Sequence, residues 1–285
     1  VKELVIISGK GGTGKTSLTG ALAVLAGNKV LVDCDVDAAN LHLLLNPRVE
    51  KEEPFYGLPK AVIDREQCLE CELCMELCQF GAIRNFTVND LACEGCGVCF
   101  HACPDRAIRM VEHQAGRLYV SSTRYGPLVH AQLGIAEGNS GKLVSAVRQR
   151  AKEIAEKEGY GLIITDSPPG IGCPVIACLS GVDVVLVVTE PTLSGRHDLE
   201  RVLRLVEHFQ EKAAVCVNKW DLSPENTREI ENFCRQKEIA LIGKIPYDPA
   251  VNEAVRQNIP VVLYNSGAAA EGIVNLWDNL VKMLS

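Results

Sequence analysis

The chain has 285 residues, 47% of them hydrophobic and 23% charged, enough to bury a sizeable core and to exclude a disordered chain. Lys and Arg number 29 against 36 Asp and Glu, and the net charge of −7 argues against sequence-independent binding to nucleic acid or to anionic lipid. No run of about 18 apolar residues is present, and the opening Val1-Lys2-Glu3-Leu4-Val5-Ile6-Ile7 lacks the layout of a signal peptide, so a cytoplasmic protein without stable membrane insertion is expected. Along the chain, a first aliphatic run covers 3–8 and leads through a glycine-rich turn to a helical pattern over 15–26, and a second run follows at 29–33. Residues 46–60, with Pro47, Pro54, Gly57 and Pro59, read as a connection. From 64 to 112 the rhythm breaks into a cysteine-rich insertion, with nine acidic residues against four arginines. Beyond it come a helix at 141–158, runs at 161–165 and 182–189, a helix at 196–211, a run at 213–217, a helix at 224–237, a run at 239–245 and a helix at 250–257. The last segment places Ile273, Val274, Leu276, Trp277, Leu280, Val281 and Leu284 on one face, but carries only Lys282 against Glu271 and Asp278, so it is expected to pack on the core. Runs apolar throughout suit strands buried on both faces, and their alternation with helices implies parallel β-α-β crossovers. The expected fold class is α/β, a doubly wound and mostly parallel sheet built from 1–63 and 113–285, with 64–112 inserted.

Ser8-Gly9-Lys10-Gly11-Gly12-Thr13-Gly14-Lys15-Thr16 follows a buried strand and opens a helix, the context of a phosphate-binding loop. Glycines let backbone N–H groups wrap an anion, Lys15 reaches the β- and γ-phosphates, and the Thr16 hydroxyl is placed to ligate Mg²⁺. The nucleotide-contacting set expected from this pattern is Gly11, Gly12, Thr13, Gly14, Lys15, Thr16 and Ser17. With its second lysine, Lys10, the loop resembles the deviant Walker A family of P-loop NTPases that includes MinD, ParA, the Mrp/Nbp35 scaffold ATPases and the nitrogenase iron protein. That resemblance implies ATP and ADP as ligands, a dimer in the ATP state, of this chain or with a paralogue, and Lys10 crossing to the partner's phosphates. It also implies a first switch at Leu31-Val32-Asp33-Cys34-Asp35, in which Asp35 orients the attacking water and Asp37 is auxiliary. Simple helix capping by Asp33, Asp35 and Asp37 is the alternative. A second switch at Asp166-Ser167-Pro168-Pro169-Gly170 is implied, with Asp166 holding Mg²⁺ through water. Asn218-Lys219-Trp220-Asp221 offers groups for a purine edge. Read literally it is also the guanine-specific Asn-Lys-x-Asp pattern, but the resemblance implies adenine at Asn218, with further contacts from Ile245-Pro246-Tyr247-Asp248, among them Pro246 and Asp248.

Of thirteen cysteines, eight fall between Cys68 and Cys103 as Cys68-x₂-Cys71-x₂-Cys74-x₃-Cys78 and Cys93-x₂-Cys96-x₂-Cys99-x₃-Cys103-Pro104. This repeats the bacterial ferredoxin pattern, in which the fourth cysteine of each run ligates the other cluster. One [4Fe-4S] cluster would take Cys68, Cys71, Cys74 and Cys103, the second Cys93, Cys96, Cys99 and Cys78. Two zinc sites are the alternative, left with an odd third cysteine in each run. Gln79 stands where a proline often follows the first run. Cys34, Cys216 and Cys234 read as small buried hydrophobes. Cys173 sits at the offset where the nitrogenase iron protein has an intersubunit cluster ligand, but residues 137–142 lack the second cysteine that site needs. A metal or redox role together with Cys178 or a partner protein is the remaining option, against simple packing. His42, His101, His113, His130, His197 and His208 form no legible site.

Together these motifs lead us to expect a slow, dimerising ATP hydrolase that couples nucleotide turnover to iron-sulfur electron transfer toward a redox or metal-centre partner protein. The alternative is an ATP-dependent scaffold or maturation factor for metal centres. A MinD- or ParA-like positioning ATPase is the third reading.

Overall fold

The computed structural model describes residues 1–134, 137–138 and 140–285. The chain begins β1 (Lys2–Ile7), α1 (Lys15–Leu25), β2 (Lys29–Asp33), α2 (Leu41–Leu45), β3 (Arg48–Tyr56) and β4 (Lys60–Ile63). It continues α3 (Leu73–Leu77), β5 (Ile83–Arg84), β6 (Thr87–Val88), α4 (Val98–Ala102), β7 (Ile108–Val111), β8 (Gln114–Thr123), β9 (Gly126–Leu133) and α5 (Ser140–Glu158). Then follow β10 (Leu162–Asp166), α6 (Cys173–Leu179), β11 (Val184–Thr189), α7 (Leu193–His208), β12 (Ala213–Asn218), α8 (Pro224–Gln236), β13 (Ala240–Ile245), α9 (Pro249–Arg256), α10 (Val261–Tyr264) and α11 (Ala268–Leu284).

Two compact units divide the chain. The first comprises 1–52, 119–131 and 141–285, the second 53–118 and 132–140. The division falls inside β3, β8 and β9. Nine strands order as β13-β12-β11-β1-β10-β2-β9-β8-β3. From β13 through β9 the neighbours pair in parallel. β2 and β11 are buried at every residue, as strands covered by helices on both faces must be. One large apolar cluster joins Leu4 and Ile6 of β1, Leu18 and Leu22 of α1 and Ile273, Leu276 and Leu280 of α11. The C-terminal amphipathic helix therefore packs Ile273, Leu276 and Leu280 on the core, while Val274 and Val281 of the expected stripe remain exposed.

Two features depart from the sequence reading. The stretch 46–60 is not a plain connection, because β3 occupies most of it. Pro54 and the charged run Glu50-Lys51-Glu52-Glu53 disguise it, yet both suit a strand that ends the sheet order, where a missing N–H is tolerated and charge discourages further pairing. Strands β8 and β9 were likewise not anticipated. Only Arg124-Tyr125 separates them, so as sheet neighbours they run antiparallel. The helix expected at 196–211 begins earlier, at Leu193, because Thr192 caps it by accepting the Gly195 N–H at 2.9 Å.

The second unit pairs β4 with β7 and β5 with β6, both antiparallel. The expected insertion 64–112 lies within it. Among the described residues its buried core is small: Ala61, Cys74, Ala82, Ile83, Cys93 and Ile108.

Candidate functional site: a phosphate loop facing three carboxylates

β1 lies between β10 and β11, where the strand order reverses, and the loop leaving its C-terminal end is therefore at the crevice where open α/β sheets bind ligands. Gly12 (φ 79°) and Gly14 (φ 90°) take left-handed backbone. Gly14 occupies the capping position of α1 and no side chain caps that helix, which leaves its positive end open toward the loop. From β12, Asn218 Nδ2 donates to the Thr13 carbonyl at 2.8 Å and holds the loop shut. A Cβ on Gly14 would stand 2.5 Å from that same nitrogen. The Thr13 hydroxyl is buried and, among the described residues, has no hydrogen-bond partner.

Lys15, 7% exposed, is electrostatically coupled to two carboxylates, Asp35 and Asp166. Burial pushes the Asp166 carboxyl up to about 6, against the Lys15 charge and hydrogen bonds from the Thr16 and Thr19 hydroxyls. Its register partner on β2 is Asp33, fully buried and pushed up to about 8, first by burial and then by the Asp166 charge. Asp33 accepts the N–H groups of Asp35 (3.1 Å), Asn40 (3.1 Å) and Leu41 (3.0 Å), so capping of the following helix belongs to Asp33. Burial also raises the Asp35 carboxyl, and Lys15 opposes that shift. The Asp35 and Asp166 carboxylates set against the Lys15 ammonium offer oxygen ligands that fit a divalent cation, with Asp33 buried behind them. The second switch folds back on the loop strand, with Ser167 N–H donating to the Ile6 carbonyl (3.1 Å) and Gly170 N–H to the Ser8 carbonyl (2.9 Å).

The residues of this site coincide with a known family. The CobQ/CobB/MinD/ParA nucleotide binding domain matches residues 4–261. The chain belongs to this family. An uncharacterized protein of Methanocaldococcus jannaschii is 32% identical over 288 residues, covering 100% of this chain and 98% of its own length. The septum site-determining protein MinD of Bacillus subtilis is 26% identical over 272 residues, 92% of this chain and 82% of that one. Among solved structures, the Pyrococcus furiosus cell division ATPase MinD superposes with a TM-score of 0.61 at 22% identity, covering 99% of both chains. MinD from Pyrococcus horikoshii, complexed with Mg-ADP, gives 0.61 at 20% identity over 100% of this chain and 98% of that one. As a MinD/ParA-type P-loop protein the chain is an ATP hydrolase.

In this MinD/ParA-type chain, Gly12, Gly14, Lys15, Thr16, Ser17 and Asn218 line one cleft of about 270 Å³. Lys219, Ile245, Val251, Asn252, Val261 and Ile273 complete its wall. The last four lie far along the chain and carry no motif, so only folding identifies them. Pro246 and Asp248 are not among the lining residues. Asp248 caps α9, accepting the Ala250 N–H at 2.9 Å. The carboxylate of Asp221, which would read a guanine, instead accepts the Tyr247 N–H at 2.6 Å. Lys10 turns away from the cleft. Its Nζ lies 3.4 Å from Glu190 Oε2 and 3.4 Å from the hydroxyls of Thr192 and Ser194, while Glu190 Oε1 accepts from Lys219 at 2.5 Å.

In the second unit the eight cysteines separate into two pockets. One, of about 20 Å³, is lined by Cys78, Cys93, Cys96 and Cys99; the other, also of about 20 Å³, by Cys68, Cys71, Cys74 and Cys103. The second cysteine of each run is flanked by left-handed residues: Glu70 (φ 57°) and Glu72 (φ 64°) around Cys71, Gly95 (φ 68°) and Gly97 (φ 75°) around Cys96. Among the described residues no group of three or more His, Cys, Asp or Glu is spaced for a single metal ion. Cys34, Cys178, Cys216 and Cys234 are buried, and burial pushes Cys216 up to about 12 and Cys234 to about 11. Cys178 hydrogen-bonds Cys34 inside the core, whereas Cys173 is exposed, so Cys178 is not available to it.

The buried carboxylates dictate a pH dependence. A carboxyl raised in the folded state binds its proton more tightly there than in the unfolded chain, so its contribution is complete below about pH 4 and is lost as pH rises through the folded values near 6 and 8. Thermal melts of nucleotide-free, EDTA-treated protein should fall between pH 5 and pH 8. Asp33→Asn should flatten that fall, and an unchanged slope would contradict the raised Asp33 carboxyl.

Proposed function

We propose that this protein is an ATP-dependent dimerising ATPase that couples its nucleotide state to electron transfer through two [4Fe-4S] clusters toward a partner metalloprotein. The observation that carries the reading is the sorting of the eight cysteines. Each run supplies three thiols to one pocket and its fourth to the other, which is the ligand exchange a two-cluster ferredoxin requires. The donor set fits the group on two further grounds. The apolar cluster of this unit includes Cys74 and Cys93, with Cys78, Cys99 and Cys103 packed against it, and its thiols form no disulfide, so a metal group is the fitting staple for so small a unit. Non-glycine residues held in left-handed backbone, Glu70 and Glu72, store strain of order 1 kcal/mol or more each, which persists where a ligand over-determines the loop.

Cys68, Cys71, Cys74 and Cys103 would hold one cluster, and Cys93, Cys96, Cys99 and Cys78 the other. When bound, such clusters supply one-electron transfer at low potential. The rest of the work is done by the chain. Lys15, Thr16 and the loop backbone bind the triphosphate, Asp166 positions Mg²⁺, and Asp35, beside Lys15, is placed to orient water. Lys10 completes the site of a second subunit once it leaves Glu190. Asn218 acts as a strut for the loop, and the engaged Asp221 favours adenine over guanine.

The test is anaerobic reconstitution followed by iron and sulfide analysis and EPR. Eight iron atoms per chain are expected, and Cys71→Ser should halve that content while leaving ATP affinity within about twofold. Iron-free wild-type protein, or ATP binding lost together with the cluster, would overturn the reading. A second reading, a positioning ATPase, is favoured by the septum site-determining relatives. No helix among the described residues is long and apolar enough to cross a membrane, and Ile273, Leu276 and Leu280 of α11 are spent on the core. Cosedimentation with anionic vesicles in ATP would support that second reading; none is expected.

A further inference from the structure

A buried charge cluster stands beside one cysteine pocket and is used by none of the chemistry above. Lys60, on β4, is 7% exposed. Its ammonium donates to the backbone carbonyls of Cys93 (2.8 Å) and Asp90 (3.1 Å) and lies 3.5 Å from Glu137 Oε2. Glu137 Oε1 pairs with His113 Nε2 at 2.7 Å. The cation is thus fixed one residue's backbone away from a thiol of the Cys78/Cys93/Cys96/Cys99 pocket. In a desolvated site a fixed charge acts far more strongly than in water. Buried groups hydrogen-bonded to the Cys68/Cys71/Cys74/Cys103 pocket include no lysine among the described residues.

Glu137 also has a distinctive place in the chain. It lies between β9 and α5. At one end of that segment β9 pairs with β2, His130 in register with Asp33, the carboxylate coupled to Asp166. At the other end α5 begins against the residues that follow the second switch: a Cβ on Gly141 would stand 3.4 Å from the Cys173 carbonyl. Both flanks of the segment are therefore seated beside the two stretches that the family resemblance reads as switches. Its middle carries the carboxylate that neutralises Lys60.

We propose that the Lys60–Glu137 pair is the point at which nucleotide state reaches the pocket of Cys78, Cys93, Cys96 and Cys99, by setting how much positive charge that pocket feels. The proposal rests on the two-cluster reading. A displacement of Glu137 toward or away from Lys60 changes the net charge beside Cys93 without breaking any ligand. Lys60 and Glu137 are positioning residues here, acting through the Cys93 backbone.

The experiment is EPR-monitored titration of both clusters in the reconstituted full chain, with ADP and with a non-hydrolysable ATP analogue. Lys60→Met removes the cation and should lower the potential of one cluster only. Glu137→Gln unmasks the cation and should raise the same cluster. Each shift is expected to change the reduced-to-oxidised ratio about tenfold, which is 59 mV for one electron. Lys60→Arg keeps the charge and should stay near wild type even if Lys60→Met folds poorly. In the wild type, exchanging ADP for the analogue should move that cluster, and in Glu137→Gln it should not. Clusters that assemble but shift in the same direction in both variants, or a nucleotide response that survives Glu137→Gln intact, would overturn the inference and leave the two-cluster reading standing. A chain without iron would overturn that reading first and this inference with it.

Discussion

Lys15→Ala is expected to reduce ATP affinity roughly tenfold to a hundredfold. A charge-assisted hydrogen bond is worth about 1.5–3 kcal/mol, and each 1.4 kcal/mol is tenfold in binding. The effect should sit at the strong end here. The ammonium is nearly buried, so it meets the phosphates in a desolvated site, and no other lysine lining the cleft is in the loop itself. The same substitution removes the charge that opposes the raised carboxyls of Asp35 and Asp166. Mg²⁺ dependence should therefore steepen as nucleotide binding weakens. Calorimetric titration with Mg-ATP and Mg-ADP reads both effects, and an unchanged affinity would contradict the assignment of the loop. Gly14→Ala offers a check that leaves the charge alone. It forces a Cβ against Asn218 Nδ2 and a side chain onto left-handed backbone, and should weaken binding by opening the strut between β12 and Thr13.

Lys10→Ala is expected to bind ATP nearly as the wild type does and to remain monomeric in it. In this structure Lys10 is folded onto its own chain, paired with Glu190, which also holds Lys219. An ion pair with a third of the lysine side chain exposed is worth about a kilocalorie or less, so it can be given up when a partner's phosphates offer a stronger counter-charge. On the proposed reading, in which Lys10 completes a second subunit's site, Glu190 is a latch on that lysine. Glu190→Gln should then dimerise at lower ATP concentration than the wild type. Sedimentation velocity over an ATP series separates these cases. Wild-type dimerisation by the Lys10→Ala protein, or weaker dimerisation by Glu190→Gln, would remove Lys10 from the interface.

The parts of the site made from consecutive residues were legible before folding. A phosphate loop takes its donors from neighbouring backbone N–H groups, so Gly12, Gly14, Lys15 and Thr16 had to stand together. The cysteine runs carry even their crossed pairing in their spacing, because the third step of each run turns the fourth thiol away. Fully apolar strands such as β2 and β11 declared their burial by composition. The edge strand β3 did not, since a strand with one side free has no need of an apolar pattern, and its proline and charges imitate a loop.

Residues that act through charge at a distance were readable only as candidates. Asp33 and Asp35 stand two apart, and the family resemblance alone singled out Asp35. Folding gave Asp33 the capping contacts and a pairing with Asp166, and left Asp35 beside Lys15. Asn218, expected at the base, lines the cleft and also holds the loop through the Thr13 carbonyl; Asp248, expected at the nucleotide, caps a helix and is not among the lining residues. Lys60, Glu137 and His113 carried no motif at all. The sequence by itself determined the backbone cradle, the thiol pairing and the doubly wound frame, all of which follow from local spacing and periodic burial. Only the tertiary structure decided which carboxylates are buried against one another, where Lys10 rests and which pocket has a buried cation beside it, because electrostatic energy depends on separation and desolvation in space, and neither is written in the order of residues.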